Sequence, residues 1–457
     1  MCSTHRLHAR PHARPQDTLA DLLAMLHTGQ GDALAGTQAL LWAHPGFAPG
    51  HCLHAALLVM AGSEDALPAL ARTLHIAEAL PPGAASERER RHLAAARAWL
   101  ERDLKEALQR YGEIAADDPL DTLALRVAHF GDLQWGRTAQ LRDRIAAALP
   151  HWHERMPGYG HVLGMYAFGL AENGEHAGAT AVGRRALAFD RRNAGAVHAV
   201  AHALDMQGRS VDGIAWLQAR ASAWTTSGSY APHLWWHQAL CHLDLDDVAA
   251  ALRILDARLP AGARAGAPAL VDASALLWRL QLRGIDVAER WQRVASAWAV
   301  TPERGLRPFN DTHAILAYVG AGRIGHAQWL MTALRASAER TQDLQGLVAH
   351  AALPVCEAVM RFGAGDHAAA VECLLQHRHL AQHCGGSRAQ CDLVQQTLLE
   401  AAMRDGQWEL ARSLTEERIA ARPYSEMNRR LMARCEAREQ RPLRQAGRFV
   451  GSAYACA

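Results

Sequence analysis

The chain has 457 residues, half of them hydrophobic but only 6% aromatic, and its 48 basic and 46 acidic side chains leave a formal net charge of +2. That length exceeds a single small core and calls for several domains or one repeat array, and so alanine- and leucine-rich a composition packs helices rather than sheets. The balanced charge excludes the basic field that nucleic acid or an anionic membrane needs, so neither is expected as a partner.

Nearly all the positive charge is arginine. The single lysine, Lys105, lies in the charged amphipathic stretch "ERDLKEALQRY" and suits neither a phosphate-binding loop nor Schiff-base chemistry. Nine cysteines, an odd number with no CxxC pair, argue against a disulfide scaffold. The polar start "MCSTHRLHARPHARPQD" lacks the apolar core of a signal peptide, and no run reaches the ~20 apolar residues of a membrane span. A soluble protein of the reducing cytoplasm is expected.

In chain order, residues 1–16 read as a disordered or extended arm and 17–87 as helical hairpins of loose register. Residues 88–259 read as regular repeats, 260–440 as further repeats of similar type, and 441–457 as a tail. The register is clearest where Leu170 and Leu204, Gly174 and Gly208, and Ala181 and Ala215 each stand 34 residues apart, the tetratricopeptide period. Taking Arg102, Gly136, Gly174, Gly208, Gly284, Gly322, Gly365 and Gly406 as turn markers places unit starts near 88, 122, 160, 194, 229, 270, 308, 351 and 392. With the units near 17 and 48, the expectation is an all-α, tetratricopeptide-like α-solenoid of roughly nine to eleven helical hairpins, interrupted by a linker at "LPAGARAGAPAL".

At "AVHAVAHALDMQGRSVDGIAWLQAR", "HLWWHQALCHLDLDD", "HAILAYVGAGR" and "GGSRAQCD" the chain resembles the tetratricopeptide repeat protein 38 family over most of its length, with Cys391 where members commonly carry arginine. The resemblance implies a fold and no mechanism. In tetratricopeptide units the first helix lines the concave groove, and positions two, five, nine, twelve and thirteen face inward. On that count His161 is at position two and Glu172 at thirteen of one unit. His198 and His202 are at five and nine of the next, with Asp205 at twelve, and His233 and His237, 35 residues later, repeat five and nine.

Histidines at i and i+4 share one helix face, and adjacent helix axes lie about 8–10 Å apart, so two such pairs suit one cation. His161, His198, His202, His233 and His237 are therefore candidate ligands for a divalent transition metal, with zinc, iron, manganese and copper all open. Glu172 and Asp205 are candidates for ligation or for general-base work toward a metal-bound water. For each histidine alone the bland reading is a cross-repeat hydrogen bond. It is the repeated pair that favours a site. No HExxH occurs, so a zincin protease is not supported.

Trp236 reads either as a wall for a small substrate or as inter-repeat packing, and His313 in "FNDTHAILAYVGAGR" as a second substrate-side residue, with Asn310 and Asp311 as caps of its helix. Asp272 reads as a cap or dipole partner at a helix start. "GAGRIG" matches GxGxxG, but its flanks read as helices, so no nucleotide cofactor is expected. "CGGSRAQCD" reads as a capped helix start between units. The functional expectation is a metal-dependent enzyme of unspecified reaction class acting on a small molecule in the concave groove. The alternative is a non-catalytic scaffold binding a peptide or protein there.

Overall fold

The computed structural model describes residues 14–449 apart from 229, 260–261, 263–264, 302–306 and 340–343. Most of the expected arm (1–13) and the end of the expected tail (450–457) lie outside the described residues. The described residues form 24 α-helices joined by turns and short 3-10 segments. An all-α, tetratricopeptide-like solenoid is the result.

Each expected unit start meets a helix: Glu87–Leu100, Thr122–Gln134, Tyr159–Glu172, Ala194–Asp205, Ala231–Asp244, Ala267–Leu282, Pro308–Gly320, Leu344–Gly363 and Arg388–Asp405. Every one is followed by a partner helix. With Pro15–Thr28 and Ala33–Ala43, then Ala48–Ala61 and Leu67–Glu78, the described hairpins number eleven, and Glu426–Phe449 follows them, running across the boundary expected at 440. All eight turn markers, Arg102 included, have φ between 66° and 83°, the left-handed conformation that ends a helix by turning its last carbonyls onto the following N–H groups. Asp246, at φ 67°, does the same in a unit that, like that of Arg102, offers no glycine there. Pro232 in the first turn of Ala231–Asp244 supplies a preset φ where its missing N–H costs nothing.

Three expected caps are not caps. Pro308 moves the start of its helix forward, so Asn310 and Asp311 lie inside it, 5% and 1% exposed, rather than at its end. Asp272 likewise sits in the second turn of Ala267–Leu282, behind Gly266 at the cap. By contrast, Ser387 caps Arg388–Asp405 in a reciprocal box with Gln390, and "GAGRIG" is the turn between Pro308–Gly320 and Ile324–Ala338.

A large apolar core runs through the N-terminal hairpins and another through the C-terminal ones. Between them, around Tyr159–Glu172 and Ala194–Asp205, the apolar side chains fall into three small clusters. There polar side chains occupy the interior: Glu172 and His202 are fully buried, and His198 and Asp205 are 8% exposed.

Distant segments close over this region. The loop before Arg388–Asp405 binds the earlier hairpins, with Gly386 N donating to Leu133 O at 3.2 Å and Arg388 N to Glu172 Oε2 at 2.7 Å. Asp244 accepts hydrogen bonds from Ser425 Oγ and from the N–H groups of Glu426 and Met427. Gln30 Nε2 donates to Ala223 O at 3.1 Å, drawing the first hairpin in as well. The histidines of the expected concave groove are thereby covered by distant segments. Among the described residues no helix is long and apolar enough to cross a membrane.

Candidate metal centre

His198 and His202 occupy one face of Ala194–Asp205, and His233 and His237 one face of Ala231–Asp244. Each of the four offers a ring nitrogen, and these atoms all lie within 4.8 Å of one another. The tightest approach is His202 Nε2 to His237 Nε2, 2.9 Å. Two ring nitrogens face each other at that distance only if one carries a proton toward the other or both address a shared cation. Tetrahedral ligation at metal–nitrogen distances of about 2.0–2.1 Å sets nitrogens roughly 3.3–3.4 Å apart, so small ring movements reach it.

Carboxylates stand behind three of the four rings. Asp272 accepts from His233 Nδ1 at 2.9 and 3.0 Å. Glu172 Oε1 is 2.9 Å from His202 Nδ1, though off the axis of a hydrogen bond. Asp205 Oδ2 is 3.6 Å from His237 Nδ1. A carboxylate on Nδ1 turns Nε2 toward the metal and raises its basicity. Glu172 and Asp205 are therefore placed behind the imidazoles rather than beside the converging nitrogens, where the sequence reading had allowed direct ligation or base catalysis.

Charge and burial fit a cation. Burial, reinforced by the neighbouring imidazoles, holds His198 and His237 well below the usual histidine range, so both are neutral, the form that ligates. Nε2 of His198 is buried without a hydrogen-bond partner. Glu172 is carried into the interior by the N-terminus of Arg388–Asp405, whose Arg388 amide it binds. Asp205 lies 3.8 Å from Arg422, which also pairs with Asp392 at 3.4 Å.

Aromatic rings wall the cluster. Phe168 packs on His198 and His202 at 5.0 and 5.1 Å, and Tyr230 on His198 at 5.7 Å. Trp236 is fully buried, stacked on His233 at 5.2 Å and 13°, with Arg279 5.6 Å from its ring. Trp236 thus backs the site and does not line an open face. The His233 side chain is 21% exposed against 0–1% for His202 and His237, so of these three rings it alone reaches solvent appreciably.

Two predicted residues stand apart from the four histidines. His161 stacks on His27 at 5.4 Å and lies 3.7 Å from Asp190; position two of its unit points to the first hairpin. His313 is buried, and its Nδ1 bonds Phe309 O at 2.8 Å. Burial lowers its pKa to about 4, while the charge of nearby Asp272 opposes the fall. Asp272 is the residue sequence reasoning undervalued. The helix begins at Ala267, before the unit start expected near 270, and counting from 270 puts Asp272 at position three, outside the inward positions.

No family model matches the chain. Among solved structures it is similar to yeast Tom70 across 96% of this chain and 92% of that one, at a TM-score of 0.30 and 10% identity. It is also similar to a chain in the structure of Naa15/Naa10 bound to HypK-THB, across 94% and 66%, at a TM-score of 0.24 and 13% identity. At these scores the likeness adds nothing to the fold read from the helices themselves.

Proposed function

We propose that the protein is a metal-dependent enzyme of the tetratricopeptide repeat protein 38-like kind, binding one divalent transition metal through His198, His202, His233 and His237 and acting on a small molecule. The observation that carries this reading is the set of carboxylates behind the rings: Asp272, Glu172 and Asp205 at 2.9, 2.9 and 3.6 Å from three Nδ1 atoms. Imidazole-rich ligation favours zinc, copper or iron over manganese, which prefers oxygen. Such a metal supplies Lewis acidity toward a substrate oxygen or an acidified water. The carboxylates orient the ligands, and Trp236 and Phe168 fix the rings.

Enclosure favours a small molecule over a peptide, since His202, His237 and Glu172 are buried and a peptide laid along the surface would not touch them. The seven described cysteines are free thiols, which suits the cytoplasm.

Elemental analysis of protein purified without an affinity tag tests the reading. About one transition-metal ion per chain is expected, lost in His202→Ala and His237→Ala. Substoichiometric metal throughout, indifferent to both substitutions, would sink it.

A further inference from the structure

Arg184, on His176–Phe189, and Arg220, just beyond Ser210–Gln218, meet over one indole ring. The guanidinium carbon of Arg220 lies 3.4 Å from the ring centre of Trp216, and that of Arg184 lies 5.6 Å from it. Trp216 is 5% exposed and its Nε1 donates to Val197 O at 3.0 Å, which fixes the ring as a floor. With Leu187, Leu204 and Ala215 it lines a cavity of about 470 Å³. Small-molecule pockets run from about 300 to 1,000 Å³.

The charges around this cavity do not balance. Asp212 is its one acid, and Arg209 neutralises it, with Nε and a terminal nitrogen both 2.8 Å from Oδ2. Among the described residues, the Arg184 and Arg220 side chains make neither a hydrogen bond nor an ion pair. Burial, and then the charge of Arg184, pull the Arg220 guanidinium below its ordinary range. The indole takes the flat side of Arg220 and leaves its N–H edge for a ligand.

We propose that this cavity binds a small phosphomonoester, its phosphate received by Arg184 and Arg220 together and its organic part resting on Leu187, Leu204 and Ala215. One dianion relieves the repulsion between two unpaired cations. A phosphate also presents three oxygens, enough for two guanidinium forks, where a carboxylate presents two and matches one. None of the four clustered histidines lines the cavity, so this site is separate from the metal centre and does not rest on it.

The test titrates inorganic phosphate, phenyl phosphate and acetate into the full chain by calorimetry in low-salt buffer, before and after chelation. Expected is saturable phosphate binding that chelation leaves unchanged, tighter for phenyl phosphate and at least about 10-fold weaker for acetate. Arg184→Gln and Arg220→Gln should each weaken phosphate about 10-fold to 100-fold. Arg184 is exposed, so Arg184→Gln keeps the wild-type melting temperature even if Arg220→Gln, which gives up its packing on Trp216, does not. Arg185→Gln is the control for diffuse surface charge, since Arg185 lies over Tyr159 at 5.8 Å and lines no part of the cavity. It should leave the affinity unchanged. Absence of saturable phosphate binding overturns the proposal, as does an equal loss in Arg185→Gln and Arg184→Gln. Acetate bound as tightly as phosphate overturns the choice of ligand, and phenyl phosphate bound no more tightly than phosphate overturns the apolar seat. Binding abolished by chelation yet indifferent to Arg184→Gln puts the phosphate on the metal, which overturns this site and leaves the metal centre standing.

Discussion

Glu172 joins two parts of the chain 216 residues apart: one carboxylate oxygen accepts the Arg388 amide at 2.7 Å, and the other lies 2.9 Å from His202 Nδ1. The N-terminus of one helix thereby stabilises the charge that orients a ligand on another. Glu172→Gln keeps an acceptor for the amide but removes the charge behind His202. Metal affinity, measured by chelator competition, is expected to fall about 10-fold to 100-fold with little change in stability. Glu172→Ala also strands the Arg388 N–H, and chemical denaturation should show a further loss of about 1–3 kcal/mol.

Asp272 makes the best-aligned of the three carboxylate contacts, and Asp205 the longest. Asp272→Asn is therefore expected to weaken metal binding more than Asp205→Asn, by at least about threefold between the two. His161→Ala should leave metal stoichiometry unchanged, because its ring faces His27 and Asp190. Loss of metal in His161→Ala, measured alongside the Asp variants, would show that the four-histidine set is incomplete.

The repeat register was readable because a turn residue in left-handed conformation recurs at fixed spacing, and Arg102 fitted that register although it is not glycine. The pairing of His198 and His202 with His233 and His237 followed from the same spacing. What spacing cannot carry is the closure of the solenoid. Nothing near Glu172 in sequence announces Arg388, whose loop, more than 200 residues away, covers the groove there. His161 failed to join the cluster for a similar reason: position two reaches the first hairpin, whose register was the loosest.

Acid should unfold the metal-free protein early. Burial takes His27 and His129 to about 3 and His313 to about 4, below the ordinary 6.5. A histidine depressed in the folded state binds its proton more readily when unfolded. The stability it contributes is therefore complete above pH 6.5 and is lost as pH falls from there toward its folded value. Each such residue removes up to about 1.4 kcal/mol per pH unit across that window. Thermal melts from pH 7.5 to 4.5 should show a steepening decline below 6.5, less steep in His129→Phe or His313→Phe; a flat profile in the wild type would refute the assignment of neutral buried rings.

Gly174 and Gly208 close two successive hairpins with the same left-handed turn, at φ 83° and 75°, yet their surroundings differ. A Cβ on Gly174 meets nothing within 4 Å, whereas one on Gly208 would stand 2.4 Å from Ser425 N and 2.7 Å from its Cα. Gly174→Ala therefore costs only the backbone strain, about 1–2 kcal/mol. Gly208→Ala adds a clash with backbone that no rotamer change relieves, at the point where the Ser425 segment docks on Asp244 and beside the helix carrying His202 and Asp205. The Gly208 variant should be less stable than the Gly174 variant by about 1–3 kcal/mol in urea denaturation, and should release its metal faster to a chelator. Equal stability of the two would mean that the C-terminal segment does not close against the hairpin that bears the site.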